Sequence, residues 1–185
     1  PYRVSICCPA AVGKTAAAGA KVQVLRACSE GYRRMVRPYA SLAAATGWVD
    51  GFILGSELRG LTKLRDETGA FPFVQQLVRL AANVRAVVGP GTKLTYGADW
   101  SEYFGYHPQD GSGEVHFHLD PLWASADIDA VGIDNYMPLA DWRDEDLVAD
   151  NPDDFRLAAD RQGMAAQIAA GGGFDWYDAR DADGW

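Results

Sequence analysis

The sequence of 185 residues predicts an α/β fold built around a parallel sheet. Apolar segments suited to strands alternate with segments whose apolar residues recur at helical spacing, which is the order of βα units. Successive strand-like segments lie about 40 residues apart, a spacing typical of parallel strands that are joined by a helix. In addition, three of these segments run directly into a carboxylate residue. The predicted strands cover residues 2–7, 51–55, 93–97 and 129–134.

The first predicted helix follows Ser29, a residue type that caps helix N-termini, and ends at Gly47. Its apolar residues recur at helical spacing and are predicted to form one inner face. The members of that face are Tyr32, Met35, Val36, Tyr39, Leu42 and Ala43.

The second predicted helix spans Pro72 to Val88 and is stopped by the Gly-Pro-Gly run at 89–91. A polar loop rich in aromatic residues follows the third strand, and the last predicted helix covers residues 154–170. The predicted inner face of the second helix comprises Phe73, Leu77, Leu80, Val84 and Val87.

Composition and charge exclude several classes of protein. Hydrophobic residues make up 48% of the chain, enough for a sizeable core, but no apolar run approaches the roughly 20 residues that span a bilayer. The net charge of -8 argues against nucleic acid as a partner, because no basic stripe is present to neutralise phosphates. The three cysteines are odd in number and two are adjacent, which favours buried small side chains over a disulfide framework or a zinc site.

No cofactor is predicted. Gly13-Lys14-Thr15 resembles the end of a phosphate-binding loop, but that motif needs glycine five positions earlier, where Cys8 stands. His116, His118 and Asp120 form a weak candidate metal group, since alternate residues of a strand share a face. An alternating polar loop explains the same residues equally well, and no metal is assigned.

The carboxylates at the strand ends are the strongest functional signal. Ser56-Glu57, Asp99-Trp100 and Asp134-Asn135-Tyr136 each follow an apolar strand. The C-terminal ends of parallel barrel strands meet at one face, and that face carries the active site of such barrels. Each acidic residue also has an alternative explanation as a helix cap or a loop hydrogen-bonder.

Carboxyl groups that share a cleft suit glycoside hydrolysis, in which a protonated carboxyl donates to the leaving oxygen. The second carboxyl then attacks the sugar, or activates a water molecule. Aromatic residues concentrate in the loops after the strands and would offer flat faces to sugar rings, although each one alone is better explained as a core residue. These aromatic residues are Trp100, Tyr103, Trp123, Tyr136 and Trp142.

Four blocks of sequence resemble the TIM-barrel-like domain of gene-transfer-agent and phage tail proteins. The blocks are GFILGSELRGLTKLRD, LTYGADWSEYFGY, FHLDPLWASADIDAVGIDNYMPLADWRD and GGGFDWY. Proteins of this type are large tail-tip proteins, also called host-specificity or megatron proteins. The domain is similar in turn to clan A glycoside hydrolases, so the resemblance implies a (β/α)8 TIM-barrel-like fold of which this chain covers about strands 3–6.

The resemblance also implies roles for individual residues. Glu57 matches the acid/base glutamate at the end of the fourth barrel strand, and Tyr136 matches a tyrosine that orients the nucleophile. Ser56 stands where the clan usually has asparagine. No later strand ends in glutamate, so the nucleophile is expected outside these 185 residues. The expected substrate-binding residues are Ser56, Asp99, Trp100, Asp134, Asn135 and Trp142.

The expected function is the binding or retaining hydrolysis of a host cell-surface or cell-wall polysaccharide. The alternative is a glycan-binding or structural module without catalysis. The chain starts in mid-strand without an initiator methionine or a signal peptide, so it is interpreted as a single partial domain (residues 1–185) of a larger tail protein. The implied partners are glycan and other tail proteins. The implied location is the tail tip of a phage-like particle that is made in the bacterial cytoplasm.

Overall fold

A computed structural model describes residues 24–102, 104–136 and 160–170. The chain forms two compact units, residues 1–134 and residues 135–185. The predicted strand at residues 2–7 lies outside the described residues. Among the described residues, no helix is both long and apolar enough to cross a membrane.

Among its described residues, the first unit contains a parallel three-stranded sheet. Strands β1 (Gly51–Ser56), β2 (Lys93–Asp99) and β3 (Gly132–Asp134) lie side by side in sequence order. The parallel sheet predicted from the βα alternation is therefore confirmed. The third strand is shorter than predicted and begins at Gly132. Before it, Asp129 bonds to Leu94 both through its backbone N–H and through its carboxylate, which takes the Leu94 N–H in place of a backbone carbonyl.

The described part of the first unit contains the α-helices named below. A π-helical segment (Ala27–Tyr32) directly precedes the first of them, and a 3-10 turn (Trp100–Glu102) follows β2. The third helix has the predicted bounds, because Pro72 suits a first helical turn and Gly89 takes the positive φ of 76° that ends it. The helices are α1 (Arg33–Thr46), α2 (Arg59–Thr62), α3 (Pro72–Val88) and α4 (Asp120–Trp123).

The prediction for the first helix was wrong in two respects. Ser29 is not an N-cap, since helical structure extends back to residue 24 and buries Val24 and Cys28 completely. The buried face of α1 consists of Val36 and Ala40. The small side chain of Ala40 suits the close packing of α1 against α3. The predicted inner residues that are exposed instead are Met35, Tyr39 and Leu42.

The core lies between one face of the sheet and the helices. Leu54, Leu94 and Tyr96 point from the strands into this core and are 0–1% exposed. Four of the five inner residues predicted for α3 are buried with them, but Val87 is 40% exposed. Val88 packs against the core at the end of the helix in place of Val87.

The described part of the second unit consists of Asn135, Tyr136, Asp160 and helix α5 (Arg161–Ala170). This helix falls within the last predicted helix, of which residues 154–159 lie outside the described residues. Met164 donates its backbone N–H to the carbonyl of Asp160 at 3.0 Å, and the Asp160 carboxylate accepts from the N–H of Gln162 at 2.9 Å. Asp160 therefore caps the start of α5.

A charged cluster joins the segment before β3 to the start of β2. Asp129 accepts the backbone N–H of Leu94 at 2.8 Å, the guanidinium of Arg85, and the ammonium of Lys93 at 3.2 Å. Arg85 also donates to the carbonyl of Asp127 at 3.1 Å. These contacts, with the Leu94 hydrogen bond as the largest cause, lower the pKa of Asp129 to about 2.

Because that pKa lies below the ordinary value of 3.8, the Asp129 cluster stabilises the fold above about pH 4. This stabilisation is lost as the pH falls toward 2, where the folded carboxylate takes up its proton. Asp129→Asn is expected to lower the free energy of unfolding at pH 7 and to flatten its pH dependence between pH 4 and 2. Urea denaturation at several pH values measures both effects. The exposed control Asp50→Asn should lower the free energy of unfolding at pH 7 by less than Asp129→Asn does. A curve for Asp129→Asn that is as steep as that of the wild type would contradict the prediction.

Candidate functional site at the strand ends

A β-bulge near the end of β1 decides which way Ser56 points. Ile53 faces Thr95 of β2 and Ser56 faces Gly97, so β1 has one residue more than β2 over this stretch. Simple alternation would place Ser56 on the same face as the buried Leu54. The extra residue turns Ser56 to the opposite face, and bulges commonly re-aim side chains in this way beside functional sites.

The side chain of Asp134 crosses β2 to reach Ser56. The Ser56 hydroxyl donates a hydrogen bond to Oδ2 of Asp134, although these residues end strands on either side of β2. A Cβ atom built on Gly97 would lie 3.0–3.3 Å from the Asp134 carboxyl group. The missing side chain at Gly97 therefore provides the space that links the ends of β1 and β3.

Glu57 follows Ser56 in a left-handed backbone conformation with φ of 54°. Among the described residues it is the one non-glycine residue with a positive φ. This conformation costs roughly 1–2 kcal/mol for a residue with a side chain. Two hydrogen bonds to β2 hold it: Glu57 N–H to the Gly97 carbonyl, and Leu58 N–H to the Tyr96 hydroxyl, both at 2.8 Å. The Glu57 residue itself is exposed, so its carboxylate is available at the strand end.

Tyr96 is a rigid anchor for this turn. Its ring is fully buried, and burial together with the charge of Glu102 raises the pKa of its hydroxyl. The phenol therefore remains uncharged at physiological pH and accepts the Leu58 N–H from inside the core.

Asp99 is paired in register with Asp134 at the ends of β2 and β3. Its Oδ1 accepts both the backbone N–H of Ser101, at 2.9 Å, and the Ser101 hydroxyl. Arg59 approaches the same oxygen at 3.6 Å. Asp99 thus makes the contacts expected of a helix cap or loop hydrogen-bonder. It also lies beside the other strand-end residues. Trp100 follows it at the start of the 3-10 turn and is half-buried.

A buried carboxylate that the sequence analysis missed lies behind Asp99. Oε1 of Glu102 accepts the Thr62 hydroxyl and lies 3.3 Å from Nε2 of His118, while Oε2 accepts the Asp99 N–H at 3.1 Å. The side chains of Glu102 and His118 have no exposed surface. The signal was present in Asp-Trp-Ser-Glu, since a glutamate three residues after a capping residue commonly reaches back to its N–H.

The two histidines considered for a metal site have different partners. His118 is buried against Glu102, whereas Nε2 of His116 lies 3.0 Å from Arg65 and 3.1 Å from Glu114. Within the part of the chain that the structure describes, no three His, Cys, Asp or Glu side chains are grouped so that they could hold a metal ion.

A cavity of about 190 Å³ lies on the other face of the sheet. Ala98 and Ile133 are opposite each other in the ladder, and both line it. Because side chains alternate along a strand, this face is opposite to that of Gly97 and Asp134. Trp123 forms part of the cavity wall, with its ring centroid 6.2 Å from that of Tyr96, so it packs in the interior of the unit.

The structure brings Ser56, Asp134 and Asp99 together at the ends of the three strands, with Glu57 directly after Ser56. Asn135 and Tyr136 follow β3 at the start of the second unit. The predicted residues Tyr103 and Trp142 lie outside the described residues.

Comparison with protein families identifies the family of this chain. The family model for the GTA TIM-barrel-like domain matches residues 30–184, which is most of the chain. The chain belongs to this family. The resemblance to the gene-transfer-agent TIM-barrel-like domain is thereby confirmed, and gene transfer agents are phage-like particles. No curated protein and no solved structure is similar enough to this GTA TIM-barrel-like domain to count as a match. The assignment of its strands to positions 3–6 of a barrel stays a prediction.

Proposed function

We propose that this GTA TIM-barrel-like domain binds a polysaccharide of the host cell surface or cell wall at its strand ends. The observation that carries the proposal is the hydrogen bond that joins Ser56 to Asp134 across β2, with the adjacent Glu57 held on β2 in a strained backbone conformation. Strained residues persist where the surrounding structure holds them, and they concentrate at functional sites. The domain acts in this proposal at the tail tip of the particle, together with other tail proteins.

The strand-end residues have complementary roles in the proposal. The hydrogen-bonded pair of Ser56 and Asp134 would orient sugar hydroxyl groups, because together they offer both a donor and acceptors. The exposed Glu57 carboxyl would donate a proton to the leaving oxygen and later remove one from water, as the acid/base of a retaining glycosidase does. Tyr136 would orient the nucleophile. Further glycan contacts are proposed for Asp99, Trp100, Asn135 and Trp142.

The alternative is a domain that binds glycan without cleaving it. The strain at Glu57 favours a functional role for its side chain, because a residue that only had to form the turn would be better as glycine. Catalysis and glycan binding would both use this carboxylate, and the measurement of hydrolysis distinguishes them.

Substitution of Glu57 tests the proposal in the intact tail protein that carries this domain. Glu57→Gln is expected to abolish polysaccharide hydrolysis while leaving glycan binding within about two-fold, since one carboxyl oxygen of the side chain is kept. Glu57→Gly should also abolish hydrolysis, yet raise the free energy of unfolding by about 1 kcal/mol through relief of the left-handed strain. Reducing-sugar release, glycan binding and urea denaturation are the measurements.

The matched control is Glu67→Gln, an exposed glutamate in the turn before α3, which should leave both turnover and binding unchanged. Unchanged turnover in Glu57→Gln would remove Glu57 from the mechanism. Glycan binding by a wild-type protein that releases no sugar would favour the alternative of a binding module.

A further inference from the structure

The segment that follows Glu57 is locally basic in an acidic protein. Residues 57–66 contain three basic residues and two acidic residues, for a net charge of +1, whereas the whole chain has a net charge of -8. Arg59 begins α2, has a side chain that is 41% exposed, and lies 3.6 Å from Asp99 at the end of β2. The basic segment therefore lies beside the strand-end site.

Lys63, one helical turn after Arg59, is a half-buried ammonium group above an aromatic ring. Its Nζ lies 5.8 Å from the centre of the Tyr106 ring. Burial, and next the charge of Arg59, lower the pKa of Lys63. Among the described residues no carboxylate lies within ion-pair distance of this ammonium. A partly buried cation without a direct anionic partner is unfavourable, so an anionic ligand group would be stabilised there.

The two carboxylates whose charges act on Lys63 already accept hydrogen bonds from other groups. Glu102 accepts from Thr62 and from the Asp99 N–H, and Asp99 accepts from Ser101. Both carboxylates favour the charged form of Lys63, but the hydrogen bonds that they accept come from other groups. The donors of the Lys63 ammonium and the exposed guanidinium edge of Arg59 are thus left for a ligand.

We infer that the glycan is anionic, and that Arg59 and Lys63 form a subsite for a carboxylate or phosphate group on the sugar unit next to the strand-end site. The inference rests on the proposed function. Tyr106 would flank the same sugar unit, since its ring lies against the Lys63 ammonium. Charge-assisted hydrogen bonds of this kind are strong enough to make binding depend on the acidic group.

Binding of acidic oligosaccharides and their neutral counterparts tests the inference. The probes are uronic-acid oligosaccharides with their carboxyl-reduced derivatives, and oligosaccharides bearing phosphate monoesters with their dephosphorylated derivatives. The wild-type protein is expected to bind one acidic form at least about ten-fold more tightly than its neutral derivative. Whether the uronate or the phosphate probe shows the preference identifies the acidic group. Lys63→Met and Arg59→Leu should each remove most of the preference without changing the affinity for the neutral derivative.

Lys93→Met is the matched control, because Lys93 begins β2 at the opposite end of the sheet and pairs with Asp129. It should keep the full preference for the acidic probe. Equal affinity of the wild-type protein for acidic and neutral forms, or a preference that survives Lys63→Met, would overturn the inference while leaving glycan binding intact. Failure of all probes to bind would reject the proposed function as well.

Discussion

Gly55→Ala is expected to destabilise the fold by about 3 kcal/mol, near the upper end for overpacking of a core. A Cβ atom on Gly55 would overlap the hydroxyl of Tyr32 and approach its Cζ to 3.0 Å. Tyr32 has little room to move, because its hydroxyl donates to the Leu54 carbonyl at 2.6 Å and its ring packs on Phe73. Burial raises the pKa of this hydroxyl to about 12, in keeping with its enclosed position.

A double-mutant cycle with Tyr32→Phe separates the steric effect from other causes. Tyr32→Phe alone should cost about 1 kcal/mol for the lost hydrogen bond. In the Tyr32→Phe background, Gly55→Ala should cost at least about 1 kcal/mol less than in the wild type, because the overlapping oxygen is absent. Gly60→Ala, in α2, is the control: its added Cβ meets no atom within 4 Å, so it should be neutral or slightly stabilising. If urea denaturation shows that Gly55→Ala lowers the free energy of unfolding equally in the wild-type and Tyr32→Phe backgrounds, the steric explanation for Gly55 is wrong.

Glu102→Leu is expected to lower the free energy of unfolding by about 3–5 kcal/mol, the range for removing one partner from a buried polar group. The substitution leaves the Thr62 hydroxyl, the Asp99 N–H and the His118 ring without their common acceptor. Leucine also lacks the shape to fill the space of a carboxylate that is surrounded by donors. Because one of these donors is the backbone of Asp99, the variant should also disturb the end of β2.

Two milder substitutions are expected to lower the free energy of unfolding by less. Glu102→Gln keeps an oxygen for the Thr62 hydroxyl and should cost less than Glu102→Leu. Thr62→Val removes one donor and leaves Glu102 with its two other partners, so it should cost about 1 kcal/mol. A Glu102→Leu protein as stable as the wild type would show that the buried carboxylate is not needed for the fold.

The sequence by itself determined those features that depend on local chemistry. The bounds of α3 follow from helical spacing between Pro72 and Gly89, and β1 and β2 follow from apolar runs that end in polar residues. The family also followed from sequence blocks alone. In each case the relevant signal lies within one segment, because helix caps, turn residues and apolar periodicity act over a few residues.

Only the tertiary structure decided the details of the site. The face on which Ser56 lies depends on a bulge relative to β2, and the reach of Asp134 depends on the missing side chain at Gly97. The sequence likewise could not show that Glu102 is buried with His118. These features arise between residues that are far apart in the chain, and their energies depend on the space and the hydrogen-bond partners that neighbouring strands provide. No pattern within a single segment encodes them.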